Sequence, residues 1–270
     1  MYLDQTRFDA FWRNPELYRL TYEVNLVPTV MPYGLARGVA FHRIAELSAA
    51  GKSEQEINAA LQNEGLPQRA IAVAWVLWRE CERTADPNQV KLGFELEFVS
   101  PIAGSPHAMV GRLDEILKLG EEVWVGELKT ANEKARYERV RQEWEQKKQA
   151  DFVLLGARAL GYDPKGVLVR IVVEGAPPKV WPFAVTRSDH QLQATELAVH
   201  QTCEIVEFMR RTFGTSMPWP HISYNYPCSM PDKCEYQEIC QRKTTDWTTE
   251  ELQGFKPREE HLELMKAAAR

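Results

Sequence analysis

Two carboxylates and a lysine stand at a spacing suited to phosphate chemistry. Val110-Gly111-Arg112-Leu113-Asp114 is followed, after Gly120-Glu121, by Trp124-Val125-Gly126-Glu127-Leu128-Lys129. A tight hairpin centred between Gly120 and Glu121 predicts that Asp114 faces Glu127 across two antiparallel strands, with Cβ atoms roughly 5 Å apart. Lys129 then follows on the same face, two residues along. Carboxylates this close raise each other's proton affinity unless a cation lies between them. An oxygen-only ligand set of this kind suits Mg²⁺ or Mn²⁺, and an ammonium beside it can position a water or steady charge on a phosphate. Hydrolysis of a phosphodiester fits. The plain alternative is a solvated strand face with a cross-strand ion pair. Val123 and Val125 share the face of Glu127 and Lys129 and weigh against it, because a strand face that is apolar until its far end marks the edge of a core.

The surrounding elements follow from periodicity. Residues 1 to about 90 read as helical: Phe8, Phe11, Trp12, Leu17 and Tyr18 recur at helical spacing, and Gly38 to Ala50 is amphipathic. Pro28 to Gly34 interrupts them. Ser53 to Glu56 fits a capping box at the start of a helix, and Leu66 to Arg83 is a further helix. From Lys91 the period becomes two: Phe94, Leu96 and Phe98 alternate with Glu95 and Glu97, and Val110 to Leu119 and Val123 to Thr130 make two further strands. A charged helix, bent or broken somewhere, is expected from about Asn132 to Gly161. Strands at Val167 to Val173 and Val180 to Val185, a long helix from Asp189 to Thr212, and a charged helix at about Glu259 to Ala269 complete an α/β pattern.

Composition sets the outer bounds. The 270 residues include 44% hydrophobic and 26% charged residues, which excludes a disordered or fibrous chain. No stretch approaches the roughly 18 apolar residues of a membrane span, and Met1-Tyr2-Leu3-Asp4-Gln5 does not open a secretory signal, so a cytoplasmic location is expected. The net charge of -5 excludes a polycation that coats nucleic acid. A local exception lies between Lys129 and Gln149, where Lys129, Lys134, Arg136, Arg139, Arg141, Lys147 and Lys148 outnumber Glu133, Glu138, Glu143 and Glu145. Those cations could line a phosphate backbone.

In these elements the sequence resembles the PD-(D/E)XK nuclease superfamily, in its RecB-like branch of phage and CRISPR-associated exonucleases. Gly111-Arg112-Leu113-Asp114 is similar to the family's G-x-x-D element and Glu127-Leu128-Lys129-Thr130 to its E-x-K element. Gly38-Val39-Ala40-Phe41-His42 is similar to the helical G-x-x-x-H, where the family's His is a further metal ligand. Gln149 stands where the family carries Gln-x-x-x-Tyr, with Val153 at the tyrosine position. The resemblance implies a restriction-endonuclease-like core, a central mixed β-sheet flanked by helices. It also implies an N-terminal helical flank over 1–88, the nuclease core over 89–215 and a Cys-containing segment over 216–270. It assigns Asp114, Glu127, Lys129 and Gln149 to catalysis, and His42, Asp114, Glu127 and the Leu128 carbonyl to Mg²⁺ or Mn²⁺. The activity expected is DNA cleavage with little sequence specificity, exonucleolytic or end-processing, in recombination, repair or phage DNA metabolism. DNA, single-stranded or with free ends, is the implied partner, and a helicase, a single-strand-binding protein or a second copy is compatible with it. A silent binding module that keeps the fold is the rival, and loss of Asp114, Glu127 or Lys129 would be its signature. Glu97 is either an extra acidic ligand or, with Glu95, part of an exposed alternation.

Five cysteines without a secretory signal point to reduced thiols or metal ligands. Cys228, Cys234 and Cys240 form a C-x5-C-x5-C run, the clustering of thiolates that take a soft metal. The run resembles the C-terminal triad of iron-sulfur nucleases in the same branch, whose fourth Cys precedes a proline near the N-terminus. Asn14 stands at that place, before Pro15. Cys81 as fourth thiolate, a three-Cys site completed by Asn14 or solvent, a zinc site and a site without metal stay open, as does a [4Fe-4S] cluster. Cys203 reads as a buried small hydrophobe. Trp219 and Tyr224 could stack on bases or pack in the loop.

Overall fold

The computed structural model describes residues 1–220 and 255–257, which fall into two compact units. One comprises Met1–Val30, Ser100–Val110 and Gln193–Arg270, the other Met31–Val99 and Gly111–Leu192. No helix among the described residues is long and apolar enough to cross a membrane.

In the first unit, β1 (Tyr2–Leu3) pairs in parallel with Ala108 and Met109. Asp4 caps α1 (Gln5–Arg13) by accepting from the Arg7 N–H at 2.7 Å, and α1 buries Phe8 and Phe11. Asn14 caps α2 (Pro15–Tyr18) in the same way, accepting from the Glu16 N–H at 2.9 Å. Glu16 then forms a buried pair with Arg19 and accepts from the Trp219 N–H. Trp219 is buried and stacks on Tyr18 at 5.9 Å between centroids, so packing is its role here. After a π-helical turn at Arg19–Glu23, β2 (Leu26–Pro28) pairs with a short strand at 255–257.

The second unit is a mixed sheet between helices. Helices α3 (Tyr33–Ala49), α4 (Glu54–Asn63) and α5 (Gln68–Arg83) come first. The capping box is formed as expected: Ser53 and Glu56 satisfy each other's backbone N–H groups at the start of α4. Strands β3 (Val90–Pro101), β4 (Ala108–Leu119) and β5 (Glu122–Ala131) follow. The expected charged helix is broken at Lys147, whose extended backbone separates α6 (Tyr137–Gln146) from α7 (Lys148–Ala159). Strands β6 (Pro164–Val173) and β7 (Lys179–Val185) close the sheet, and α8 (Asp189–Phe213) leads back into the first unit. Strand β4 runs antiparallel to β5, β5 parallel to β6 and β6 antiparallel to β7, while β3 pairs with β4.

Alternate side chains of β5 and β6 serve the two helical layers. Leu128 and Val172 join Phe41, Ile44, Leu77 and Trp78 of α3 and α5 in one apolar cluster. Glu127, on the other face, receives a hydrogen bond from Gln149 of α7. Strand β3 departs from the strict alternation expected of it. Phe94 packs on the α3–α5 cluster, whereas Phe98 lies against Gly156 of α7, so the two phenylalanines face opposite layers. The step that changes parity is Glu95, a non-glycine residue at φ +50°. The tail helix expected at 259–269 lies outside the described residues.

Candidate active site

The β4–β5 hairpin has the register expected from the Gly120-Glu121 turn. Gly120 takes φ +60°, Leu119 pairs with Glu122, and the ladder runs to Glu115 opposite Gly126. There it stops, one pair short of Asp114 and Glu127. The Leu128 N–H is instead taken by Asp114 Oδ2 at 2.8 Å, so a side chain replaces a strand partner where the two strands part. Into this opening come the side chains of Glu127 and Lys129. Lys129 Nζ lies 3.7 Å from Asp114 Oδ2 and donates to Glu127 Oε1, which also accepts from Gln149 Nε2.

Helix α3 brings His42 to the same place, its Nδ1 3.7 Å from Asp114 Oδ1. One turn earlier Gly38 faces Thr130 of β5, whose Oγ1 would lie in ordinary contact, 3.7 Å, from a Cβ at that position, so the approach of the helix does not depend on the glycine. Five residues expected from the sequence, His42, Asp114, Glu127, Lys129 and Gln149, therefore converge. A sixth, Glu95, was not expected: the left-handed step in β3 turns it inward, 4.0 Å from His42 Nδ1, with Arg112 Nε 2.5 Å from its other oxygen. The alternation that suggested an exposed glutamate conceals it. The sequence carries no trace of the break, since strict alternation puts Phe94 and Phe98 on a single face. Glu97, the acidic residue singled out on that strand, is not in the group of potential ligands formed by His42, Glu95 and Asp114.

Burial dominates the electrostatics. It pushes Glu95 up to about 8, reinforced by the Asp114 charge, and raises Glu127 for the same two reasons. Burial also opposes the charge on Asp114, but Lys129, His42 and the Leu128 N–H overcome it and hold its proton affinity below the usual range. On Lys129 burial is outweighed by Asp114 and Glu127, so the ammonium is strongly held. Burial lowers His42 against the pull of Asp114, which favours a neutral imidazole with a lone pair to give.

Such a cluster carries more acceptors than donors. Glu127 Oε2 and Glu95 Oε1 are buried without any hydrogen-bond donor. Orphaned buried carboxylate oxygens cost free energy that a cation would recover. His42, Glu95 and Asp114 each offer a ligand atom within 4.8 Å of the others. Carboxylate oxygens with one imidazole fit Mg²⁺ and, with the nitrogen, Mn²⁺ somewhat better.

The remaining expected residues are elsewhere. Lys134 and Arg136 precede α6 and have no carboxylate partner among the described residues, whereas Arg139 pairs with Glu143 and Arg141 with Glu145 along the helix. Lys148 pairs with Asp151, and Lys147 lies over Trp144. Cys228, Cys234, Cys240 and Tyr224 lie outside the described residues. Cys81 is a buried member of the α3–α5 cluster, and burial pushes its thiol up to about 11, against the thiolate that a metal ligand must be. Asn14, at the family's fourth-Cys position, is a helix cap. Cys203 is fully buried, as a small hydrophobe would be.

Among curated proteins, none matches this chain. Among solved structures, a candidate exonuclease from Eubacterium rectale is similar over 99% of this chain and 93% of its own, with 12% identity and a TM-score of 0.56. The protein designated SSO0001 matches 76% of each chain at 12% identity and a TM-score of 0.39. The first likeness is one of fold, and it agrees with the mixed sheet between helices described above. The model of the PD-(D/E)XK nuclease superfamily matches residues 3–241, nearly the whole chain, and with the hairpin and its carboxylates already in view the chain belongs to that superfamily.

Proposed function

We propose that the chain is a metal-dependent deoxyribonuclease that hydrolyses phosphodiester bonds with little sequence specificity, acting exonucleolytically or at DNA ends in recombination, repair or phage DNA metabolism. The observation that carries this reading is the pair of buried carboxylates, Asp114 and Glu127, with the Lys129 ammonium between them at the parting of β4 and β5, and a Glu127 oxygen that lacks a donor. The exonuclease likeness of the Eubacterium rectale protein supports the choice among nucleases.

Asp114, Glu127 and His42, with the Leu128 carbonyl, would hold a Mg²⁺ or Mn²⁺ ion, which supplies Lewis-acid polarisation of the scissile phosphate when bound. The chain's own groups do the rest. Lys129 keeps its proton and offers N–H donors to an attacking water and to the charge that grows on the phosphoryl oxygens. Gln149 donates to Glu127 Oε1 and so fixes the carboxylate's orientation. Asp114 is held by the Leu128 N–H, which ties its position to the backbone of β5.

The test is cleavage of end-labelled linear and closed circular DNA, single- and double-stranded, with Mg²⁺, Mn²⁺ or chelator. Metal-dependent degradation is expected from the wild type and a loss of at least about 100-fold from Asp114→Ala and from Lys129→Ala, in line with removal of a transition-state donor. A requirement for an end would appear as sparing of the circle. Unchanged cleavage by either variant, or cleavage in chelator, would overturn the assignment.

A further inference from the structure

A second group of potential metal ligands lies in the first unit, and none of its residues belongs to the candidate active site. His107 stands just before β4, and His200 and Glu204 are one turn apart on α8. One ring nitrogen of each histidine and one Glu204 oxygen lie within 4.8 Å of one another. His107 Nε2 is 2.9 Å from Glu204 Oε1, while Glu207 Oε1 lies 3.7 Å and the Met1 nitrogen 3.2 Å from Nδ1. The two imidazole rings are 5.8 Å apart at 35°, and Ser105 Oγ holds His200 Nδ1 at 2.9 Å.

We propose that His107, His200 and Glu204 form a binding site for a zinc-class divalent ion. The donor set is the first argument. Two imidazoles and one carboxylate are the ligands of a borderline ion such as Zn²⁺, in contrast to the carboxylate-rich set that suits Mg²⁺. Geometry is the second. Bonds of about 2.0–2.2 Å at tetrahedral angles put ligand atoms roughly 3.3–3.6 Å apart, so closure from 4.8 Å needs a combined shift of up to about 1.5 Å. Glu204, whose side chain is 50% exposed, and the half-buried His200 supply it by side-chain rotation, whereas His107 is 1% exposed and held in place. An ion on His107 Nε2 displaces the hydrogen bond to Glu204; the ring stays neutral with its one proton moved to Nδ1, and the Met1 ammonium, 3.2 Å from Nδ1, gives up a proton to solvent so that its nitrogen no longer opposes a donor there. The Nδ1 proton then lies between the Met1 nitrogen and the Glu207 carboxylate, the latter the kind of outer partner that metal-bound histidines commonly have. The fourth position of a tetrahedron is left to water. The ion would clip α8 to the segment that leads into β4.

The test uses the full chain, stripped with chelator and titrated with Zn²⁺ against a chromophoric competitor, with Co²⁺ absorption as a second readout. The comparison is between wild type, His200→Ala, Glu204→Gln and Asp114→Asn, each checked for native circular dichroism. His200→Ala and Glu204→Gln are expected to weaken one zinc equivalent by about tenfold or more and to abolish the zinc-induced rise in Tm, while Asp114→Asn leaves that equivalent intact. Zinc affinity and Tm response in His200→Ala equal to wild type would overturn the site, as would loss of the equivalent in Asp114→Asn alone. Neither readout involves DNA cleavage, so this inference and the nuclease assignment stand or fall separately.

Discussion

Glu95 is the residue whose position owes most to backbone conformation. A non-glycine side chain at φ +50° in mid-strand costs of order 1 kcal/mol or more, and it persists only where the surroundings require it. Here the surroundings are Arg112 Nε at one oxygen and His42 with Asp114 near the other. Its buried, donorless Oε1 is as well placed to meet a cation as the oxygens that the family pattern predicts. Glu95→Gln keeps the shape and removes the charge. The expected outcome is a metal affinity lowered by about 10- to 100-fold, so that cleavage at limiting Mn²⁺ falls steeply and recovers at saturating Mn²⁺. Titration of activity against Mn²⁺ checks this, and a variant with an unshifted metal dependence would show that Glu95 serves only Arg112.

The hairpin is legible in the sequence because its determinants are local: Gly120 marks the turn, and a period of two fixes which side chains share a face. His42 and Gln149 are legible only through the family pattern, since nothing within either helix says which strand it will meet. Glu95 is not legible at all, because a one-residue change of parity depends on what packs on both sides of β3. That packing is visible at Phe98. The ring fills the space over Gly111 and Gly156, where Cβ atoms would come within 2.8 and 2.4 Å of it, and this rigid, buried ring has no flexible end that could give way. Gly156 thus sets how closely α7, and with it Gln149, can approach β3. Gly156→Ala is expected to destabilise the fold by about 1–3 kcal/mol through overpacking. It should also lower kcat by displacing the Gln149 donor from Glu127. Urea unfolding and steady-state cleavage measure the two effects. Phe98→Leu in the same chain should restore part of both, and its failure to do so would place the strain elsewhere.

Charge is the property of the whole chain that bears most on how it would meet DNA. A net charge of -5 opposes a polyanion, so attraction has to come from cations that no carboxylate has already claimed. Along α6 most are claimed: Arg139 and Arg141 are paired one turn on with Glu143 and Glu145. These exposed pairs are worth little to stability but do cancel charge locally. Lys134 and Arg136, just beyond the end of β5 that carries Lys129, have no such partner among the described residues. They are therefore the cations expected to touch phosphate. Each phosphate contact contributes about -0.9 to the slope of log affinity against log salt for duplex DNA and about -0.7 for a single strand. Lys134→Ala and Arg136→Ala should each weaken DNA binding at low salt and flatten that slope by somewhat less than 1, whereas Arg139→Ala should change neither by a comparable amount. Fluorescence anisotropy in an Asp114→Asn background, expected to be silent under the proposed function, over about 50–300 mM salt, separates these outcomes. An unchanged slope in Lys134→Ala and Arg136→Ala would mean that the strand approaches the carboxylates from another side, and the paired helix would then be a solvated surface and nothing more.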